Sequence, residues 1–174
     1  MRNLFIQGTR MIKMRSKLFR LYCFLLLLVS SSNIASVDVK EIAVNESMNV
    51  LNSFMDTFNS RDMQSWSQTL NYPHVRLAGG KVTVWNTQEE YAAEDIFERL
   101  ASTGWHRSEW LSREVILVSE DKVHISTVFQ RYDKDNKPMK KYQSLYIVTR
   151  QNGEWGVQAL SLIHISEPTR PERI

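Results

Sequence analysis

The sequence has one cysteine, Cys23, in 174 residues. Everything after it therefore lacks both a disulfide framework and a thiolate site. Histidine is scarce too, at four residues. No two histidines stand at helical ligand spacing, and no local cluster of His, Asp and Glu accompanies them, so no metal is expected. There is no G-x-S-x-G elbow, no phosphate loop and no dinucleotide fingerprint, so no cofactor is expected. Internal repeats and low-complexity segments are absent. A small domain of this kind must draw its stability from an apolar core, helped by self-association.

Charge of one sign is present, but only locally. The formal net charge is +3. Residues 1–36 hold six Lys or Arg and no acid, whereas residues 37–159 hold 14 bases against 17 acids. The basic excess belongs to the leader, which removes the electrostatic argument for a nucleic-acid partner. In the leader, "KMRSKLFRLYCFLLLLVSSSNIAS" runs from basic residues through an apolar stretch, Leu21 to Val29, to small polar residues. That order reads as a secretory signal peptide cut near Ala35 or Ser36. The apolar stretch is too short to span a bilayer as a helix. An uncleaved anchor is the alternative, and Tyr22 before Cys23 fits a lipoprotein site poorly. The expectation is a periplasmic or secreted protein that meets a membrane only through its leader.

The other end is foreign to the pattern before it. "LSLIHISEPTR", Leu160 to Arg170, followed by "PERI", reads as one translated frame of a transposase-type sequencing adapter plus index. The expected organisation is therefore a signal peptide at 1–36, one domain at 37–159 with a truncated last strand, and a non-native tail at 160–174. The last strand is expected to continue by chance through Leu162 or Ile165, because the tail residues alternate.

Between these ends the periodicity is clear. Val44, Met48, Leu51, Met55 and Phe58 recur every three or four residues, predicting a helix over 37–59. "SRDMQSW" restarts the pattern, with Ser60 or Asp62 as cap and Met63, Trp66 and Leu70 inward. Pro73 stops it. "HVRLA" and "KVTVW", joined by Gly79-Gly80, predict a hairpin. "NTQEEYAAEDIFERLAST" predicts one helix, capped by Asn86 or Thr87, ended by Gly104 and burying Tyr91, Ile96, Phe97 and Leu100. "SREVILVS", "KVHISTVFQRY", "YQSLYIVTR" and "EWGVQAL" predict a four-stranded antiparallel meander. The class is α+β.

This order resembles the nuclear-transport-factor-two-like fold of SnoaL-like cyclases, ketosteroid isomerase and scytalone dehydratase. The resemblance covers residues 44–159. It rests on "FMDTFNSRD" closing the first helix, on Trp66, on the Gly-Gly hairpin and on "GEWGVQA" in the final strand. It implies three N-terminal helices packed on a strongly curved sheet, a cone-shaped and mostly apolar pocket, and a homodimer built on the outer sheet face. It implies no particular chemistry, because activity follows the site and not the fold.

Candidate site residues come from polar and aromatic groups near the expected pocket. Tyr72, His74 and Arg76 lie in "NYPHVRLAGG"; His74 and Arg76 share a strand face. His74 is the proton-transfer candidate and Arg76 the anchor for an anion; a locally hydrogen-bonded polar face is the alternative. Trp105, His106 and Trp110 in "TGWHRSEW" either wall the pocket, cover the core or join a dimer contact. Trp85 and Tyr146 are candidate wall residues for which core packing is the default. His124, alone on its strand, reads as packed or surface-bonded. The expected function is binding of a small, mostly apolar ligand. The alternatives are a lyase or isomerase using His74, and a non-catalytic dimeric interaction module.

Overall fold

The computed structural model describes residues 31–164. The expected leader, and the tail from 165, lie outside the described residues. The chain divides into two units, Met1–Val39 and Lys40–Ile174. Of the first, residues 31–39 are described and are helical. The second carries the sheet and the candidate site.

Helix α1 (Ser31–Ser60) buries Ala43, Ser47, Leu51, Phe54, Met55 and Phe58. The buried stripe is thus turned slightly from the expected one: Val44 and Met48 lie at its margin, and Ala43, Ser47 and Phe54 take its centre. The C-terminal end is pinned by one amide. Asn59 Nδ2 donates to Ser108 O (2.9 Å) and Asn59 Oδ1 accepts from Ser108 N (2.8 Å), so the side chain imitates a neighbouring strand. Helix α2 (Met63–Ser67) starts at Asp62, whose carboxylate accepts from Ser65 N (3.0 Å). It is shorter than expected, because Leu70 already belongs to strand β1 (Leu70–Ala78).

Strands β1 and β2 (Lys81–Trp85) form the expected hairpin, with Ala78 paired to Lys81. Gly79 and Gly80 both have positive φ, +59° and +73°; a two-residue turn that matches strand twist requires this at both positions. β1 runs further back than "HVRLA" suggested, past Pro73. Pro73 has no N–H to give, and it falls in the register irregularity between Leu70 and Val75, where none is needed.

The expected third helix is two helices, α3 (Gln88–Ala92) and α4 (Ile96–Ala101). Thr87 caps α3 by accepting from Glu90 N (3.3 Å), and Glu90 returns a bond from Asn86 N (2.6 Å). The break has a packing cause. Tyr91 and Ile96 are both buried, yet five residues apart they would point about 140° from each other on a straight helix. Glu94, in the break, accepts from Trp85 Nε1 (3.0 Å), and Arg99 pairs with both Glu94 and Asp95. Among the described residues four helices therefore precede the meander, where the resemblance implied three.

Strands β3 (Arg107–Val118), β4 (Lys122–Tyr132), β5 (Pro138–Gln151) and β6 (Glu154–His164) follow. Together with the hairpin they make one curved, unclosed sheet in the order β2-β1-β6-β5-β4-β3. All pairs are antiparallel except β1 with β6, which is parallel. The last strand thus lies in mid-sheet, and it runs through His164. Val123, Val148 and Val157 adjoin across three strands at zero exposure and form the floor of the core. Above them Trp66 gathers the helices: its ring lies 5.3 Å from Phe54, 4.9 Å from Phe58, 5.2 Å from Tyr91 and 5.5 Å from Phe97. Replacing Trp66 by Ala is expected to cost about 3–5 kcal/mol; a urea midpoint close to that of the parent would contradict this account of the core.

Candidate functional site

A cavity of about 80 Å³ lies between the inward sheet face and the helices. Phe54 and Phe58 from α1, Trp66 from α2 and Phe129 from β4 supply apolar wall. Its polar groups are Arg76 on β1, Arg131 on β4, Tyr146 on β5, Tyr91 on α3 and Ser108 on β3. No Asp or Glu is among its lining residues. Each strand brings its group inward by the period-two alternation of a pleated chain.

The two arginines decide the chemistry. Arg76 Nε and Arg131 Nε are both buried and make no hydrogen bond among the described residues. Among the described residues, the ion pairs belong to Arg99 and Arg107, not to these two. Arg131 does have neutral neighbours: its guanidinium stacks 4.6 Å from the ring of Tyr142, and Nη1 donates to the Tyr142 hydroxyl at 3.4 Å. Burial, with Arg76 nearby, pulls its pKa below the usual range, while Tyr142 opposes that shift. Burial also holds the hydroxyls of Tyr91 and Tyr146 well above the ordinary tyrosine range, so both stay protonated donors. The cavity thus presents positive charge and O–H donors inside apolar walls, an arrangement complementary to an anion.

Of the residues singled out from sequence, Arg76 and Tyr146 line this cavity. His74 lies behind it at zero exposure, 5.9 Å from the Trp85 ring and 5.6 Å from the Tyr91 ring. Its Nδ1 is 3.0 Å from Val157 O. A carbonyl only accepts, so Nδ1 bears the hydrogen and Nε2 is a lone pair; that atom is buried without a partner. Trp85 Nε1 is held by Glu94. The Tyr72 hydroxyl donates to Ser67 O (2.9 Å), and its pKa is raised mainly by burial. Trp105 is buried and donates to Ser108 Oγ (2.9 Å). Trp110 Nε1 donates to Leu51 O (3.3 Å), with its ring edge-on to Tyr146. His106 is exposed beside Arg61, whose Nη2 is 3.3 Å from Nδ1. These aromatic N–H and O–H groups are satisfied by the protein itself.

Sequence reasoning missed Arg131. The signal was present: Val123, Ile125, Thr127 and Phe129 are the buried alternate residues of β4, and the same alternation continues to 131. Leu160 and Leu162 also line the cavity, although they fall in the stretch expected to be adapter-derived; the polar end of the cavity owes nothing to them.

His74 makes stability depend on pH. Burial lowers its pKa from 6.5 to about 4. Between those values the unfolded chain binds a proton that the folded chain excludes, so stability falls as pH drops through that window. The full effect is up to roughly 3 kcal/mol. A His74→Gln variant is expected to show a flatter dependence of its urea midpoint between about pH 7 and pH 4; identical slopes in both proteins would count against a buried neutral imidazole.

Comparison with known proteins gives the family and the fold. A family profile described as "NTF2-like protein (DUF6841)" matches residues 45–162. No curated protein matches the chain. Among solved structures, a ketosteroid isomerase-like protein from Erwinia carotovora atroseptica aligns with a TM-score of 0.56 at 17% identity, over 71% of this chain and 96% of that one. A putative ketosteroid isomerase from Shewanella frigidimarina gives 0.55 at 15%, over 68% and 94%. A Nostoc punctiforme protein of unknown function with a cystatin-like fold gives 0.56 at 15%, over 72% and 92%. At such identities the likeness is one of fold. With helices laid on a curved, unclosed α+β sheet and a profile spanning most of the described residues, the chain belongs to the NTF2-like protein family DUF6841.

Proposed function

We propose that this is a small-molecule-binding domain whose cavity takes a mostly apolar compound by an anionic group. The observation that carries the reading is Arg76: a guanidinium lining an apolar cavity, its Nε–H buried and unpartnered, with no carboxylate in the lining. Leaving such a group uncompensated costs stability, and a ligand anion removes that cost. The basic, apolar leader supports delivery of the domain to the periplasm or the exterior. A second reading, proton transfer by His74, draws on its unpartnered Nε2 lone pair, as a general base requires. The Tyr91 ring lies against His74 and itself lines the cavity, so binding accounts for the polar groups more directly.

The outer sheet face supports self-association. One cross-strand row runs Val84, Val75, Ala159, Ile147, His124, Leu117, and the next begins Val82, Leu77, Ser161, Leu145. Val82 and Leu117 are 67% and 61% exposed. The helices cover the opposite face, and these rows carry almost no charge. A second copy of the chain, presenting the same rows, is the partner that such a self-complementary face fits.

Two measurements test these readings. In thermal-shift titrations, butyrate and benzoate are expected to raise the melting temperature where butyramide and benzamide do not. Arg76→Met should abolish the carboxylate effect, since it removes the guanidinium that would hold the anion. Equal shifts from acid and amide would overturn the anion reading. In sedimentation, the parent is expected to run as a dimer and Leu77→Glu as a monomer; a monomeric parent at tens of micromolar would overturn the dimer.

A further inference from the structure

The anion reading above concerns one guanidinium, but the cavity holds two. We infer that the site is built for a short dicarboxylate, with one carboxylate held at Arg76 and the other at Arg131. This deepens the proposed function and rests on it.

The two arginines reach the cavity from separate strands. Arg76 is on β1 and Arg131 on β4, and two strands, β6 and β5, lie between these in the sheet. They are two anchor points, not a single cluster. Tyr146, on the intervening β5, senses the charge of both, and its burial keeps the hydroxyl protonated. A hydroxyl donor thus joins the two guanidiniums within a cavity whose remaining surface is largely apolar.

Charge balance gives the second step. The lining contains two positive groups and no carboxylate. A monoanion neutralises one guanidinium and leaves the other buried without a counter-charge. The stack on Tyr142 and the long bond to its hydroxyl soften that cost for Arg131, but its Nε–H stays unpaired. A ligand with a carboxylate at each end satisfies both Nε–H donors and cancels both charges. Inorganic phosphate concentrates its charge on one atom's oxygens and serves two separated anchors less well. Size gives the third step. A cavity of about 80 Å³ admits a chain of about three to five carbons, whose methylenes meet Phe54, Phe58 and Phe129.

The test is titration calorimetry on the full chain at pH 7.5, where the dicarboxylates are dianions. Malonate, succinate and glutarate are compared with propionate, butyrate and valerate, and with inorganic phosphate. The best dicarboxylate is expected to bind at least about tenfold more tightly than the monocarboxylate of equal length. Arg131→Met should bring the two to the same affinity, whereas Arg76→Met should weaken both series. Arg131→Gln serves if the Met variant does not fold, and the parent's preference is decisive by itself. Equal affinity for the two series, or phosphate binding more tightly than every dicarboxylate, overturns the two-anchor inference and leaves anion binding at Arg76 standing. Failure of every carboxylate to bind the parent overturns both.

Discussion

The ring of Trp66 is where the helical layer of this domain becomes one body. Two residues of α1, one of α3 and one of α4 lean on it, and Phe58 and Phe97 extend the cluster to Trp105 at the entry to β3. α2, α3 and α4 have five or six residues each, too few to be stable alone. They persist because they deliver one or two rings apiece to a common cluster. Phe54, Phe58, Trp66 and Tyr91 of this cluster also line the cavity. Core and candidate site are therefore not separate regions: the packing that holds the helices on the sheet also sets the volume left for a ligand.

Against that apolar wall, Arg76 and Arg131 bring positive charge with no acid in the lining to meet it. Arg99 and Arg107, by contrast, pair with carboxylates. Arg76 and Arg131 have none among the described residues, and each retains a buried donor. Groups of this kind persist where something outside the chain completes them. His74 differs. It too is buried with an open atom, but it is neutral, its Nδ1–H is engaged, and rings cover both sides. It behaves as a packed core group with one unsatisfied lone pair, whereas the arginines behave as half of an interaction.

Much of the architecture was legible because it rests on local rules. Gly79-Gly80 forced a tight hairpin through its two positive φ angles. Thr87 and Asp62 served as caps since their oxygens reach the free N–H groups of a first turn. β4 matched its expected limits, its buried residues alternating from Val123 to Phe129. The errors came where a distant contact outbid a local preference. The helix through Ala93–Asp95 broke because Tyr91 and Ile96 both had to face the core. β1 reached back to Leu70 since Val157 of β6, almost ninety residues later, offered it a partner. The site was legible in part. Alternation put His74 and Arg76 on one face, but nothing local could tell which would sink behind Tyr91 and which would reach the cavity.

Composition and periodicity alone determined the class, the order of elements, the inward face of each strand, and the absence of thiolate chemistry after Cys23. These follow from nearest-neighbour physics: backbone geometry, capping and the period of the side chains. The tertiary structure alone decided that β6 lies between β1 and β5, and that Arg76 and Arg131, 55 positions apart in the chain, face one hollow. It also decided that this hollow contains no acid to pair with them. Such facts depend on how a curved sheet brings remote strands together, and the pairing of remote strands is written in no single stretch of sequence.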